Sequence, residues 1–458
     1  MTERKLVRSK YIVHDLTNSR DTPPKVTKDG GVVIEDGWIT EVGKDFSSSD
    51  FDTVEDLGNQ VVLPGLVNTH SHAGMTLFRG YADDLTLYDW LNNYIWPIEA
   101  ITTAEDVRIG AKLAAIEALM SGTTTFNSMY WNVREEAQSF KEIGVRLLCG
   151  PGILTGIAEL DIGEASNLIS ELHGKEDDMT RISMNPHAPY TVSSEDYQKI
   201  TEFVKDHNQK NPNSPDVVVH THLHEDKEEM TQIKNFATRE GFSIPADVST
   251  PTEYLNSIGV LHDSLFVAHA VGCNSSDIQL LKQAGSGVSI NTVSNMKLGN
   301  SFAPVTEYYD NGVKMGIGTD SATSNNNLDM FEEMKTTAIV QKGFRGDPIR
   351  LRAWEILKVA TAYGAESMGW NTVGDIAPGR RADLISIGLN KPHLQPITSQ
   401  QSLLSHIVYA AQGQDVRNTM VNGEWKMLDR KIIGLDLESF LDEFEGVATA
   451  LIARALEK

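Results

Sequence analysis

Eight short apolar runs, most of them followed by a segment with helical spacing, constrain this chain more than any other feature. They span residues 61–68, 123–128, 146–149, 181–185, 217–222, 265–269, 287–291 and 314–318. Between them, stretches such as 104–120 and 195–207 repeat their apolar residues on one helical face. Strands alternating with helices bury a parallel sheet on both faces, and eight such units predict an α/β fold, a (β/α)8 TIM barrel. One barrel needs roughly 250 residues, so the 458 present leave room for an accessory domain.

That surplus has β character at both ends of the chain. Residues 30–43 alternate about Asp36-Gly37 and residues 419–428 about Asn422-Gly423. Both pairs are favoured in two-residue hairpin turns, which need left-handed backbone. The expected organisation is a small β-sandwich domain formed from both chain termini. Residues 1–60 and 371–430 supply its two parts, 61–370 form the barrel, and 431–458 hold a C-terminal helix. Phe440, Phe444, Val447, Leu451 and Ala455 recur at near-helical spacing, which suits packing against the parent barrel. A single helix is expected over 353–368.

Composition narrows the function classes. Hydrophobic residues at 40% and charged residues at 22% are those of a soluble globular protein. No apolar run approaches a membrane span, and the first ten residues lack an apolar signal core, so a cytoplasmic location is expected. A net charge of -23 would repel nucleic acids and anionic membranes. Cys149 and Cys273 are too few for a disulfide framework, and neither belongs to a Cys-x-x-Cys metal motif.

The chemistry gathers at the ends of the apolar runs. The first leads into Asn68-Thr-His-Ser-His72, and strand alternation puts His70 and His72 on one face. The fifth leads into His220-Thr-His-Leu-His-Glu225, the sixth ends at His269, and the eighth leads to Asp320. In a barrel all these positions open onto the C-terminal mouth, where such folds carry out chemistry. A lone strand-end histidine is more often packed than ligating. Histidines and a carboxylate repeated on one face form a donor set for a divalent metal, and the chain reads as a metal-dependent hydrolytic enzyme.

Pro64-Gly-Leu-Val-Asn-Thr-His-Ser-His72 and Gly374-Asp-Ile-Ala-Pro-Gly-Arg-Arg-Ala-Asp-Leu384 resemble the amidohydrolase superfamily, and nearly the whole chain fits its pattern. Met75-Thr-Leu-Phe-Arg-Gly-Tyr-Ala-Asp-Asp-Leu85, Ile95-Trp-Pro-Ile-Glu99, Asn185-Pro-His-Ala-Pro-Tyr190, Ser294-Asn-Met-Lys-Leu-Gly299 and Gly318-Thr-Asp-Ser-Ala-Thr-Ser-Asn-Asn-Asn327 resemble its 5-methylthioadenosine/S-adenosylhomocysteine deaminase branch. The resemblance implies one Zn2+ per subunit, with Fe2+ as the alternative, held by His70, His72, His222 and Asp320. His222 is preferred because it alone has the family's His-x-x-Glu spacing to Glu225; His220 is read as packed deeper and His224 as pocket lining. The fourth run, Arg181-Ile-Ser-Met-Asn-Pro-His187, lacks the bridging lysine of two-metal members.

By the same resemblance Asp320 accepts a proton from the attacking water, Glu225 protonates a purine ring nitrogen, and His269 orients the water. Glu99 grips ribose hydroxyls, His187 contacts substrate, and Trp96 packs against the sugar. The implied reaction is hydrolytic deamination of an adenosine-type nucleoside to its inosine analogue. Alternatives are hydrolysis of another amino- or halo-substituted ring (triazine, guanine or pterin type) and a non-catalytic purine-binding barrel. No arginine occurs between Arg146 and Arg181, where relatives are expected to meet an amino-acid tail, so a small or neutral 5′ substituent is favoured, with Arg79 the nearest other cation. Asn291-Thr-Val-Ser-Asn295 lacks the proline of many relatives, which predicts a looser loop. The expected partners are the nucleoside and further copies of the chain.

Overall fold

The computed structural model describes residues 3–158 and 161–457, so Met1, Thr2, Glu159, Leu160 and Lys458 of the expected segments lie outside it. The barrel strands are Leu66–Ser71, Thr123–Tyr130, Arg146–Ile153, Thr180–Pro186, Val218–Leu223, Leu265–His269, Gly287–Ile290 and Lys314–Ile317. They pair in parallel in chain order, and all eight expected runs take part. The last strand returns beside the first, where Asn68 Nδ2 donates to Thr319 Oγ1 (2.7 Å) and the Asp320 amide to the His70 carbonyl (2.9 Å). The result is a nearly closed barrel. Helices such as Ala104–Met120, Ser194–Lys210 and Met330–Arg345 cover its outside.

The remaining strands form one mixed sheet of nine, built from Arg4–His14, Lys25–Glu35, Trp38–Gly43, Thr53–Asp56, Gln60–Pro64, Leu384–Gly388, Val416–Val421, Glu424–Leu428 and Lys431–Ile432. Both expected hairpins are present, with Asp36-Gly37 and Asn422-Gly423 all at positive φ. The sheet rolls until these two turns meet: the Ala382 amide donates to the Gly37 carbonyl (2.8 Å) and Gly37 lies against Asn422. Val7, Ile12, Val62, Leu384 and Met420 fill the space so enclosed, which gives the separate sheet a sandwich-like core of its own.

Two boundaries depart from expectation. The first apolar run is not one strand. Gln60–Pro64 pairs with Arg4–His14 and Leu384–Gly388 in the accessory sheet, and the barrel strand starts at Leu66 rather than at residue 61. Gly65 makes the crossing, where an added Cβ would stand 2.0 Å from Thr124 Oγ1. The expected helix over 353–368 is two helices, Ala353–Val359 and Ala362–Ser367. Thr361 leaves helical geometry between them (φ -135°, ψ -100°) and its hydroxyl bonds back to the Leu357 carbonyl. The final helix, Leu437–Leu456, packs within the chain on Ala104–Met120, with Arg454 Nη2 2.7 Å from Asp106. Among the described residues no helix is long and apolar enough to cross a membrane.

Candidate active site

At the barrel mouth, hydrogen bonds place a proton on Nδ1 of four histidines. His220 Nδ1 lies 3.0 Å from the Phe266 carbonyl, which only accepts, so that nitrogen carries the proton and Nε2 is bare. His70 Nδ1, 2.8 Å from His220 Nε2, must then be the donor. His72 Nδ1 donates to the Met129 carbonyl (2.5 Å) and His222 Nδ1 to the His187 carbonyl (2.8 Å). His70, His72 and His222 therefore turn Nε2 toward the same point; burial lowers His72, but Asp320 beside its Nε2 outweighs that and raises it above its ordinary value. Strand alternation supplies the direction, and the neighbouring strands' carbonyls and His220 supply the tautomer.

This donor set suits a divalent cation. His72 Nε2 and His222 Nε2 stand 3.4 Å apart. Asp320 Oδ1 lies 3.5 Å from His70 Nε2 and 3.3 Å from His72 Nε2. His70 Nε2 is buried without a hydrogen-bond partner. Burial drives His70 down to about 3 and His222 well below its ordinary value, so both are neutral and able to ligate at pH 7. Two ligand-like groups emerge, His70 with His72 and His222, and His70 with His269 and Asp320, each with donor atoms within 4.8 Å of one another. Together they form a candidate metal centre of nitrogen and oxygen donors.

The acids around this point are held from behind. Asp320, at φ 61°, accepts at Oδ2 from Ser294 Oγ (2.5 Å) and Ser324 Oγ (3.0 Å), and at Oδ1 from its neighbour Ser321's amide (2.7 Å). Glu225 lies 3.8 Å from His269 Nε2. Glu229 clamps its loop by accepting from the His224 and Glu225 amides. Burial, reinforced by the Asp320 charge, pushes the Glu225 carboxyl up to about 8, so it carries a proton at neutral pH. His269 bonds Asn295 through Nδ1 (2.8 Å) and stacks on His222.

A cavity of about 310 Å³ stands over these groups. Glu99, Trp96 and His187 line it together with His72, His222, Glu225 and Asp320, so every site residue expected from the sequence except His70 and His269 faces it. His70 and His269 lie just beneath, 0% and 1% exposed. Burial pushes Glu99 up to about 7 against the opposing pull of His72, and drives His187 down to about 3. Among the described lining residues there is no lysine or arginine.

Three expectations are corrected. Arg79 does not reach the cavity, because Glu117 and the Asn326 carbonyl hold its guanidinium. His224, read as pocket lining, has left-handed backbone (φ 52°) and turns instead toward Cys273 and Asp277. Ser294 and Asn295, given no role by the sequence, grip Asp320 and His269. The loop without its proline is not loose: Thr292–Lys297 is a short helix whose first amides bond Glu333. Sequence reasoning also passed over Ser324 and the Met129 carbonyl, for which no local pattern gives a signal.

Fold and site together define a barrel hydrolase with a candidate metal centre at the strand ends. The chain belongs to the amidohydrolase family, whose model matches residues 61–426. It is 40% identical over 435 residues to a 5′-deoxyadenosine deaminase of Methanosarcina barkeri, covering 93% of this chain and 94% of that one. It is 36% identical to a 5-methylthioadenosine/S-adenosylhomocysteine deaminase of Caldanaerobacter subterraneus subsp. tengcongensis, covering 93% and 95%. Among solved structures it is similar to an adenosine deaminase from Xanthomonas campestris with bound zinc (TM-score 0.85, 29% identity, 98% of each chain covered).

Proposed function

We propose that this protein is a metal-dependent aminohydrolase that replaces the 6-amino group of an adenosine-type nucleoside by oxygen, releasing ammonia. Its preferred substrates carry a neutral 5′ group, as in 5′-deoxyadenosine, 5′-methylthioadenosine or adenosine. The observation that carries this reading is the convergence of three imidazole nitrogens, Asp320 and Glu225 at the floor of one cavity.

His70, His72, His222 and Asp320 would hold the ion, which when bound makes water acidic enough to attack at neutral pH. Zinc is preferred over iron, since both suit this donor set and the Xanthomonas deaminase carries zinc. Glu225 donates its proton to the purine ring nitrogen beside the amine-bearing carbon, which makes that carbon electrophilic. Asp320 takes the first proton of the attacking water, and His269 orients that water through its bare Nε2. Asp320 then passes that proton to the departing amine. The second water proton leaves the new hydroxyl as the carbonyl forms and returns to Glu225, so ammonia and the inosine analogue balance the adenosine analogue and water.

Glu99 on the cavity wall suits a pair of vicinal ribose hydroxyls, with His187 and Trp96 beside it. A cavity wall without lysine or arginine offers no partner to the carboxylate of an amino-acid tail. Exposed Ile339, Phe344 and Ile349 suit self-association, and two free buried cysteines suit a reducing cytoplasm.

Ammonia release from a panel of adenosine derivatives tests the reading. kcat/KM for 5′-deoxyadenosine and 5′-methylthioadenosine should exceed that for S-adenosylhomocysteine by about tenfold or more, the value of one charge-assisted contact. A preference for S-adenosylhomocysteine overturns the 5′ assignment, and inertness of metal-loaded enzyme toward every aminopurine overturns the reaction.

A further inference from the structure

Behind the mouth, a second cluster of donors joins His224, Cys273 and Asp277, with ligand atoms within 4.8 Å of one another. They are 7%, 8% and 0% exposed. Backbone geometry brings them together: Val271 N donates to the His224 carbonyl (2.9 Å), and Asp277 caps the helix that opens just after Cys273. His224 Nε2 is buried, has no hydrogen-bond partner, and stands 3.9 Å from Asp277 Oδ2. That separation is too long for a hydrogen bond. A histidine this deep with an unpartnered ring nitrogen needs another partner.

We propose that His224, Cys273 and Asp277 form a second, structural site for a thiophilic divalent cation of the zinc type, separate from the catalytic centre. Ligands at about 2.0–2.3 Å from zinc stand about 3.3–3.7 Å apart in tetrahedral geometry, so the cluster closes on the ion by shifts of a few tenths of an ångström to about 1 Å. A nitrogen, a sulfur and a carboxylate oxygen select zinc or cobalt over calcium or magnesium. Thr252 Oγ1 stands 3.6 Å from Cys273 Sγ. Binding requires the Cys273 thiol to lose its proton, which passes to solvent, leaving a thiolate ligand. The ion ties the loop carrying Glu225 to the loop after the sixth barrel strand, so it braces the catalytic acid without touching substrate.

Sulfur makes the site distinguishable from the catalytic one, whose proposed ligands include no cysteine; Cys149, the other cysteine, is in neither donor group. Full-length apoprotein titrated with cobalt(II) should bind two ions per chain and develop a thiolate-to-cobalt charge-transfer band in the near ultraviolet. Cys273→Ser should abolish the band and reduce the stoichiometry to one, while Asp320→Asn should keep the band. His224→Gln provides a second variant should Cys273→Ser fold poorly. Saturation of the wild-type protein at one cobalt per chain with no sulfur band overturns the site, as does a band that survives Cys273→Ser. Loss of deaminase activity with the band intact would count against the proposed reaction alone.

Discussion

His220 touches neither cavity nor candidate ion, yet it decides which nitrogen His70 offers. Its own proton is committed to the Phe266 carbonyl, and its bare Nε2 takes the His70 proton. His220→Ala removes that acceptor. The expected outcome is about 10–100-fold weaker metal retention, measured by competition with a chelator, with partial rescue by His220→Gln, whose amide oxygen also accepts. Glu99→Gln should leave metal content unchanged while kcat/KM for ribosyl substrates falls by about tenfold or more, because an amide cannot accept two charge-assisted bonds equally well; unchanged kinetics would remove Glu99 from sugar recognition. His262 lies at the opposite end of the barrel, before the sixth strand, with Nε2 buried and unpartnered. Burial lowers it to about 4. The unfolded chain then binds this proton first, so stability falls as the pH drops from about 6.5 through about 4. Urea unfolding of His262→Gln should show about 1–2 kcal/mol less loss across that window than the wild type.

At the scale of elements, the decisive join is Gly65. One apolar stretch serves two sheets because the chain can pass Thr124 only where no Cβ is present. Gly65→Ala overpacks that crossing and should cost about 1–3 kcal/mol in denaturant unfolding. Periodicity and β-propensity register where a run is apolar, not where it changes partners, so residues 61–68 read as one strand. The two hairpins show the opposite case. Asp36-Gly37 and Asn422-Gly423 require φ > 0 wherever they stand, and that local demand is visible without tertiary context.

Across the whole molecule, barrel and accessory sheet are joined by a buried ion pair. Arg146 on the third barrel strand reaches Asp383 with Nε at 2.6 Å and Nη2 at 3.1 Å, both residues sealed from water. Arg146 Nη1 donates to the Asp177 and Asp178 carbonyls, and the Asn422 amide donates to Asp383 Oδ1. Asp383→Ala should destabilise by about 3–5 kcal/mol in thermal or denaturant unfolding, because it strands a buried guanidinium. Arg146→Met combined with Asp383→Leu should recover most of that loss; a double variant no better than the single one would show that packing, not charge, holds the interface.

The sequence by itself determined the barrel, the hairpins and the identity of the candidate donors, because strand alternation, turn chemistry and His-x-His spacing act over a few residues. The His-x-x-Glu spacing already singles out His222, but tertiary structure alone decided that His224 turns away from the cavity. His220, His222 and His224 share one short segment, but the left-handed turn at His224 and the Phe266 and His187 carbonyls on neighbouring strands sort them into packed support, candidate ligand and a separate cluster. The fate of Arg79 was decided in the same way, by Glu117 38 residues away. Hydrogen-bond partners brought together by barrel closure assign a side chain its role, and no local spacing encodes them.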